Sequence, residues 1–279
     1  MWSGSRWWPF ECPGLLTAVR TGLLSTVPSH MRTDRPDGAD FYDSADRVDR
    51  YLQHRYNSER SPNISIEEPA VLASVGDLRN TDIVDLGCGD GSFGSIAIDA
   101  GCRSYRGIDR SAAMIERARL RLAHTGAKLE QATIEAVPLR SASADLVLSR
   151  MALHYVSDIE PVLGKIHDSL RPGGRVVLTV VHPVITSHDS GNGEPRQHWV
   201  VDDYFLDGPR TRMWFGEPVV WHHRTIEQYL NALQRAGLML TRLSECEPTP
   251  ARFAANRDEL ARRQRVPLFL LLEGHRPTA

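Results

Sequence analysis

The chain has 279 residues, 41% hydrophobic and 24% charged, the balance of a globular protein long enough to bury a sizeable core. Its formal net charge of -2 supplies no broad basic field, which disfavours nucleic acid and anionic lipid as partners. No apolar run is long enough to span a bilayer, and the four cysteines (Cys12, Cys88, Cys102 and Cys246) form no Cys-x-x-Cys pair, which suits reduced thiols in a cytoplasmic protein.

Residues 1–30 carry Trp2, Trp7 and Trp8, then an apolar stretch from Leu15 to Val27 that Arg20 interrupts. A secretory signal needs a continuous apolar stretch and a small-residue cleavage site. These residues therefore read as a disordered extension, or as an over-called translation start with Met31 as the first residue. Residues 31–41 are rich in Asp, Arg, Pro and Gly and read as a linker. The extension is thus expected over 1–42 and one domain over 43–279. Asp43 to Tyr56 reads as a polar helix with Val48, Tyr51, Leu52 and Tyr56 on related faces. Glu67 to Leu78 reads as a second helix, with Pro69 in its first turn, where proline is tolerated.

From Asp82 onward strand and helix alternate. Strands are expected over Asp82 to Leu86, Tyr105 to Ile108, Lys128 to Thr133, Ala144 to Ser149 and Arg175 to Val181. Helices are expected over Phe93 to Ala100, Ala112 to His124 with Ser111 as N-cap, and Asp158 to Leu170, which Pro172-Gly173-Gly174 follows. This rhythm predicts an α/β fold with a parallel, doubly wound sheet. It stops after Val181, and residues 182–224 read as a long irregular segment of the kind that forms lids. Thr225 to Ala236 is a helix closed by Gly237. Leu238 to Leu243 and Pro267 to Leu272 are two more strands, suited to antiparallel pairing at one edge, with a basic, mostly exposed helix from Arg252 to Arg265 between them.

The chemistry concentrates in Ile83-Val84-Asp85-Leu86-Gly87-Cys88-Gly89-Asp90-Gly91. Glycines between a strand and a helix let the chain turn sharply and let a ligand approach the backbone. A pyrophosphate loop would use them in the same way, so they do not name the ligand. Asp85 adds information: it would repel a pyrophosphate and attract the amino group of a zwitterionic cofactor. Asp109 ends the next strand, 20 residues after Gly89, where a carboxylate is placed to accept hydrogen bonds from two ribose hydroxyls.

This run resembles motif I of the class I S-adenosylmethionine (SAM)-dependent methyltransferases, of the type 11-like small-molecule group. The likeness continues in order through Gly107-Ile108-Asp109, Ile134-Glu135-Ala136-Val137-Pro138-Leu139, Asp145-Leu146-Val147-Leu148-Ser149 with Leu153-His154-Tyr155-Val156, and Leu170-Arg171-Pro172-Gly173-Gly174. It implies a Rossmann-like seven-stranded sheet, parallel with an antiparallel final hairpin strand, and SAM as cofactor. It further implies that Asp85, Gly87, Cys88, Gly89, Gly91, Asp109, Arg110, Met114, Thr133, Ile134, Glu135 and Ser149 contact that cofactor. Tyr51, Arg55 and Tyr56 are expected to fold over it from the N-terminal helix. Many members carry Asp where this chain has Thr133. Adenine is then expected to rely on one hydrogen bond to Thr133, on the backbone of Ile134 and on Met114.

The acceptor is expected to be a small molecule. A sulfonium methyl is already electrophilic, so the protein needs mainly to align a nucleophile and exclude water. Ser149-Arg150-Met151 stands where metal-assisted catechol chemistry would want carboxylates. The Asn/Asp-Pro-Pro-aromatic signature of nucleic-acid amino-methyltransferases is absent, and adjacent His222 and His223 would point apart on a strand, so no metal is expected. The segment 182–224 holds six of the chain's 20 aromatic residues (Trp199, Tyr204, Phe205, Trp214, Phe215 and Trp221), twice the background density. It reads as a substrate lid suited to a flat acceptor. Its phrase Trp199 to Phe205, with His222 to Thr225, resembles a bacterial subgroup of small-molecule methyltransferases, some relatives of which, in natural-product pathways, methylate carbon or nitrogen of indole-like and other heteroaromatic compounds. His154, His182 and Tyr204 are the candidate bases, each weighed against a structural hydrogen bond. The competing classes are an RNA- or protein-modifying methyltransferase, a non-catalytic SAM binder and an NAD-dependent oxidoreductase. A homo-oligomer is compatible with any of them.

Overall fold

A computed structural model describes residues 38–56, 61–187 and 198–278; the expected extension over 1–30 and most of the linker lie outside them. The first described element is a 3-10 turn, Gly38–Asp43, followed by α1 (Ala45–Tyr56). That turn starts within the region expected as extension, so the folded part begins earlier than composition indicates. A π-helical turn, Asn63–Glu67, leads into α2 (Glu68–Val75), with Pro69 in its first turn as expected.

The alternating region then unfolds as β1 (Asp82–Leu86), α3 (Ser92–Asp99), β2 (Ser104–Asp109), α4 (Ala112–Arg121), β3 (Lys128–Gln131), β4 (Ala144–Arg150), α5 (Glu160–Ser169) and β5 (Leu170–Val181). Local chemistry fixes the starts. Ser111 caps α4 by accepting the Met114 N–H at 3.1 Å, and Gly91, in the left-handed region, turns the chain into α3. The sheet order is β3-β2-β1-β4-β5-β9-β8. The first five strands run parallel, and β9 (Phe269–His275) is antiparallel to both β5 and β8 (Met239–Ser244), so the expected seven-stranded, mixed sheet is what forms.

Each central strand buries both faces, as parallel sheets require. Val84 and Leu86 of β1 meet α5 and α7 (Ile226–Arg235) through Leu163, Ile166 and Leu233, while Ile83 meets Val71, Val75 and Phe93 of α2 and α3 on the other side. Each such fully buried aliphatic side chain contributes about 1.5–3 kcal/mol. Helix α7 opens on a reciprocal cap: Thr225 accepts from the Gln228 N–H and Gln228 accepts from the Thr225 N–H.

Two expectations change. Residues 182–224 are not irregular throughout: α6 (Pro183–Thr186) is followed, past the undescribed 188–197, by an antiparallel hairpin of β6 (Gly208–Trp214) and β7 (Glu217–His223). Phe215 and Gly216 join the strands with φ of 50° and 84°, a two-residue turn of the type that suits strand twist. Phe-Gly is not one of the sequence pairs that advertise such a turn, which is why the hairpin is hard to read beforehand. The single helix expected over 252–265 is instead a 3-10 turn, Pro250–Phe253, and a short α8 (Arg257–Arg263), because Asn256 caps a fresh start by accepting the Glu259 N–H at 3.0 Å.

Candidate active site

The strand order reverses between β1 and β4, and a crevice opens beyond their carboxyl ends, where doubly wound sheets bind ligands. A cavity of about 390 Å³ occupies it. Its walls are the glycine loop after β1, the end of β2, Met114 of α4, the Thr133–Glu135 turn and the segment from Arg150 to Val156. Tyr42, Tyr51, Leu52 and Arg55 close it from the N-terminal side.

The loop is pinned before any ligand enters. The N–H groups of Gly87 and Cys88 both donate to the Ile108 carbonyl, at 2.8 and 2.9 Å. Gly87 has φ of 79°, and a Cβ there would lie 2.4 Å from the Cβ of Ala152; this glycine is dictated by protein packing. Gly89 differs: with φ of 55°, a Cβ on it would meet no protein atom within 4 Å, although the residue lines the cavity. The space beside Gly89 is room for a ligand.

Two carboxylates set the electrostatics. Asp85 is 1% exposed; its Oδ2 accepts the Tyr105 hydroxyl at 2.7 Å, and its Oδ1 is buried without a partner. Burial pushes its pKa up to about 6, with the Tyr105 hydrogen bond and the Arg150 charge pulling the other way. A buried carboxylate with one unsatisfied oxygen suits an entering cationic group. Asp109 is held by the N–H groups of Gly89 and Ser111, each at 2.9 Å. Each oxygen keeps a further lone pair for a vicinal diol. Burial raises its pKa, against these two backbone bonds. The donor set fits a ligand with a cationic amino-acid end at Asp85 and a ribose at Asp109.

Another part of the cavity wall is phenolic. The Tyr42 ring meets those of Tyr51 and Tyr155 edge-on, at centroid distances of 5.2 and 6.1 Å, and the Tyr42 and Tyr155 hydroxyls lie 3.3 Å apart. Burial pushes the Tyr155 phenol up to about 12 and Tyr42 well above its ordinary value, so both stay protonated. Beneath them Arg150 lies in a fork against Glu67, at 3.1 and 2.5 Å, and Glu67 also accepts the Thr179 hydroxyl at 2.7 Å.

Of the residues expected at the cofactor, Asp85, Gly87, Cys88, Gly89, Asp109, Arg110, Met114, Thr133, Ile134, Glu135, Tyr51 and Arg55 all line this cavity. Gly91 and Ser149 do not. Gly91 turns the chain against Ala118 and Leu122, and the buried Ser149 hydroxyl donates to the Leu86 carbonyl at 2.9 Å, tying β4 to β1. Thr133 reaches the cavity, but its Oγ1 already accepts the Ala136 N–H at 3.1 Å.

The three expected bases stand elsewhere. His154 is buried between Tyr155 and Trp221, off the cavity wall, and burial lowers its pKa to about 3. A 3-10 turn, Leu153–Tyr155, rotates successive side chains apart, so Tyr155 faces the cavity where His154 was expected. His182 caps α6 by accepting the Val184 N–H on Nδ1, and its Nε2 meets Glu245 at 3.0 Å. The Tyr204 hydroxyl accepts the Ile226 N–H, and its ring lies against His223. None of the six aromatic residues of the expected lid lines the cavity. Trp199, Trp214, Phe215 and Trp221 gather instead around Phe41, Val219 and Tyr155, buttressing the phenolic wall from behind.

Sequence reasoning missed Tyr42, Leu52, Asp90, Ser92, Phe93, Arg150, Met151, Ala152, Tyr155 and Val156. Asp90 carried the clearest signal, standing inside the glycine motif. It is 3% exposed and accepts from Tyr56 and Arg121, both at 2.5 Å, fastening α1 and α4 to the loop. Among the described residues no three His, Cys, Asp or Glu side chains cluster as a metal site.

Residues 84–178 match a family described as a methyltransferase domain. The crystal structure of an S-adenosylmethionine-dependent methyltransferase from Mesorhizobium loti is similar, with a TM-score of 0.71 and 36% identity over 79% of this chain and 100% of that one. An uncharacterised protein of Haemophilus influenzae is 28% identical over 73% of this chain and 85% of its own. A malonyl-[acyl-carrier protein] O-methyltransferase of Enterobacter lignolyticus is 33% identical over 47% of this chain and 49% of its own.

Proposed function

Because this chain belongs to the S-adenosylmethionine-dependent methyltransferases, we propose that it moves the cofactor's methyl group to a small, flat acceptor, aromatic or heteroaromatic and indole-like, in specialised metabolism. The observation that carries this reading is one cavity lined by two chemically distinct sets of groups: the carboxylates of Asp85 and Asp109, and three tyrosine rings. Bound SAM supplies the electrophilic sulfonium methyl. Asp85 receives its ammonium, Asp109 its ribose hydroxyls, and Thr133, Ile134 and Met114 its adenine. The phenolic wall of Tyr42, Tyr51 and Tyr155, with Met151 and Val156, excludes water and holds the acceptor in line for direct displacement, without a metal. The near-neutral charge supports a small-molecule acceptor over RNA, and the cysteine usage supports a cytoplasmic setting. The M. loti likeness supports the cofactor assignment and leaves the acceptor to experiment.

The test is incubation with methyl-labelled SAM and a panel of indoles, phenols, amines, acyl carboxylates and tRNA, read by mass spectrometry. Label in an indole or another flat heteroaromatic is the expected result. Label only in tRNA, protein or an acyl carboxylate would replace the proposed acceptor class.

A further inference from the structure

Arg150 ends β4 with one nitrogen uncommitted. Its Nε and Nη2 are held by Glu67 at 3.1 and 2.5 Å, and Nη2 also reaches Glu68 at 3.5 Å. Its Nη1 makes no hydrogen bond among the described residues, yet it is not sealed off as Asp85 Oδ1 is. The side chain is 6% exposed and lines the cavity, so the surface that Nη1 keeps opens there. The corner around it is tightly held. Met151 follows with φ of 53°, in the left-handed region that residues with a side chain disfavour. The Met151 N–H donates to the Thr179 carbonyl at 2.9 Å and to its hydroxyl at 3.2 Å, and that hydroxyl donates to Glu67 at 2.7 Å. Backbone strain fixed by surrounding bonds marks a position where direction matters.

Topology places this corner beyond the cofactor groups. Asp109, Asp85 and Arg150 stand at or next to the carboxyl ends of β2, β1 and β4, three neighbouring strands about 5 Å apart. Arg150 therefore lies on the far side of Asp85 from the ribose carboxylate. Met151 packs in one apolar cluster with Phe41, Tyr42, Tyr51 and Tyr155, so the chain passes from the guanidinium to the phenolic wall within one residue. Charge then selects what Nη1 receives. Glu67 already balances the guanidinium, and a further carboxylate on the same fork would face the Glu67 and Glu68 charges. An uncharged oxygen meets no such repulsion and still gains a charge-assisted hydrogen bond.

We propose that Arg150 determines acceptor specificity: its Nη1 donates to a neutral oxo group carried in the ring plane of the methyl acceptor. This deepens the reading of the cavity as a flat-acceptor methyltransferase site and rests on it. Within that class the site selects oxo-bearing rings, of the quinolone or oxindole kind. The same hydrogen bond fixes the rotation of the ring in its own plane, which decides the ring atom offered to the methyl group.

The test titrates three matched rings by calorimetry into protein saturated with S-adenosylhomocysteine: quinoline, 4-quinolone, which adds the oxo group, and quinoline-4-carboxylate, which puts an anion in its place. The unaltered protein is expected to bind 4-quinolone roughly ten- to a hundredfold more tightly than quinoline, the range of a hydrogen bond from a charged donor, with the carboxylate weaker than the quinolone. Arg150→Lys keeps a cation opposite Glu67 but lacks the fork that frees Nη1. It should lose the quinolone preference and leave S-adenosylhomocysteine affinity unchanged. The proposal is overturned if the unaltered protein binds quinolone and quinoline equally, a comparison that decides even where the variant fails to fold. It is also overturned if the carboxylate binds most tightly, which would assign Nη1 to an anionic acceptor, or if Arg150→Lys keeps the quinolone preference. Arg150→Lys that weakens S-adenosylhomocysteine and all three rings by one factor overturns it too, as a purely structural role would do. Binding of none of the three rings would sink the flat-acceptor reading itself, and this proposal with it.

Discussion

At the scale of single residues, Asp85 governs how cofactor binding responds to pH. Its carboxyl titrates near pH 6 in the folded protein, above the ordinary aspartate value near 4. The folded state therefore binds more protons than the unfolded state between those values, and ligand-free stability falls as pH rises through the window. The loss is on the order of 3 kcal/mol and is complete above pH 6. SAM binding runs the other way, because its ammonium needs the ionised form. Affinity measured by calorimetry should rise about tenfold from pH 5 to pH 7 and then level off. Asp85→Asn should flatten most of that rise; a profile that keeps its full slope would move the titrating group elsewhere, with Asp109 next in line. The two glycines make a paired prediction. Gly87→Ala forces a clash with Ala152 and should lower the melting temperature severely. Gly89→Ala costs only about 1 kcal/mol of left-handed backbone strain, yet it fills ligand space, so melting should shift little while SAM binding is lost. Equal effects on folding would dissolve the distinction. Sequence separates these cases poorly. The motif spells out Gly87, Gly89 and Gly91 alike, and only the neighbours of each reveal that one faces Ala152 in the segment after β4, one the open cavity and one a helix.

Among the elements, the π-helical turn ahead of α2 does what no periodic pattern advertises. It carries Glu67 into full burial, where Arg150 and Thr179 claim both of its oxygens. Burial alone would push this carboxyl up, but the Arg150 guanidinium, together with the Arg55 charge and the Thr179 hydroxyl, outweighs it and holds the pKa below the ordinary glutamate value. The stabilisation is present above the unfolded pKa and is lost as pH falls through the lower folded one. Glu67→Ala leaves Arg150 buried and unpaired and should cost about 3–5 kcal/mol in denaturant unfolding, with the loss shrinking in acid. A cost within about 0.5 kcal/mol would make the pair ornamental. Strands and capped helices of the sheet region were legible because burial on both faces leaves continuous apolar runs and because Ser111 and Thr225 mark their caps. Glu67, Tyr42 and the β6–β7 hairpin were not. Their roles depend on contacts more than 100 residues away, or on a turn formed by the uninformative pair Phe215-Gly216.

For the whole molecule, α1 is the weakly held part of the site. Val48 is its only fully buried residue. Besides ring contacts of Tyr51 and His54, its docking is polar: Asp49 to Arg117 at 2.6 Å, Tyr56 to Asp90 at 2.5 Å and, just before it, Asp40 to Arg110 at 2.5 Å. The two ion pairs, Asp49–Arg117 and Asp40–Arg110, are partly exposed, so salt screens them, and at about 1 M the screening length is only about 3 Å. Hydrogen exchange should therefore show residues 45–56 losing protection in high salt and regaining it with SAM, while β1 and β4 hold throughout. Uniform exchange across all three would argue against a separately closing helix. The sheet, by contrast, is assembled out of chain order. β9, which follows every other strand in the sequence, lies between β5 and β8. On the ribosome the cofactor crevice of β1, β2 and β4 can form early, but β5 waits with an open, apolar edge of Val176 to Val181 until Phe269–His275 emerges, and β8 has no partner at all until then. The nascent protein thus passes through a state that can already hold its cofactor while its sheet still has an edge open to aggregation.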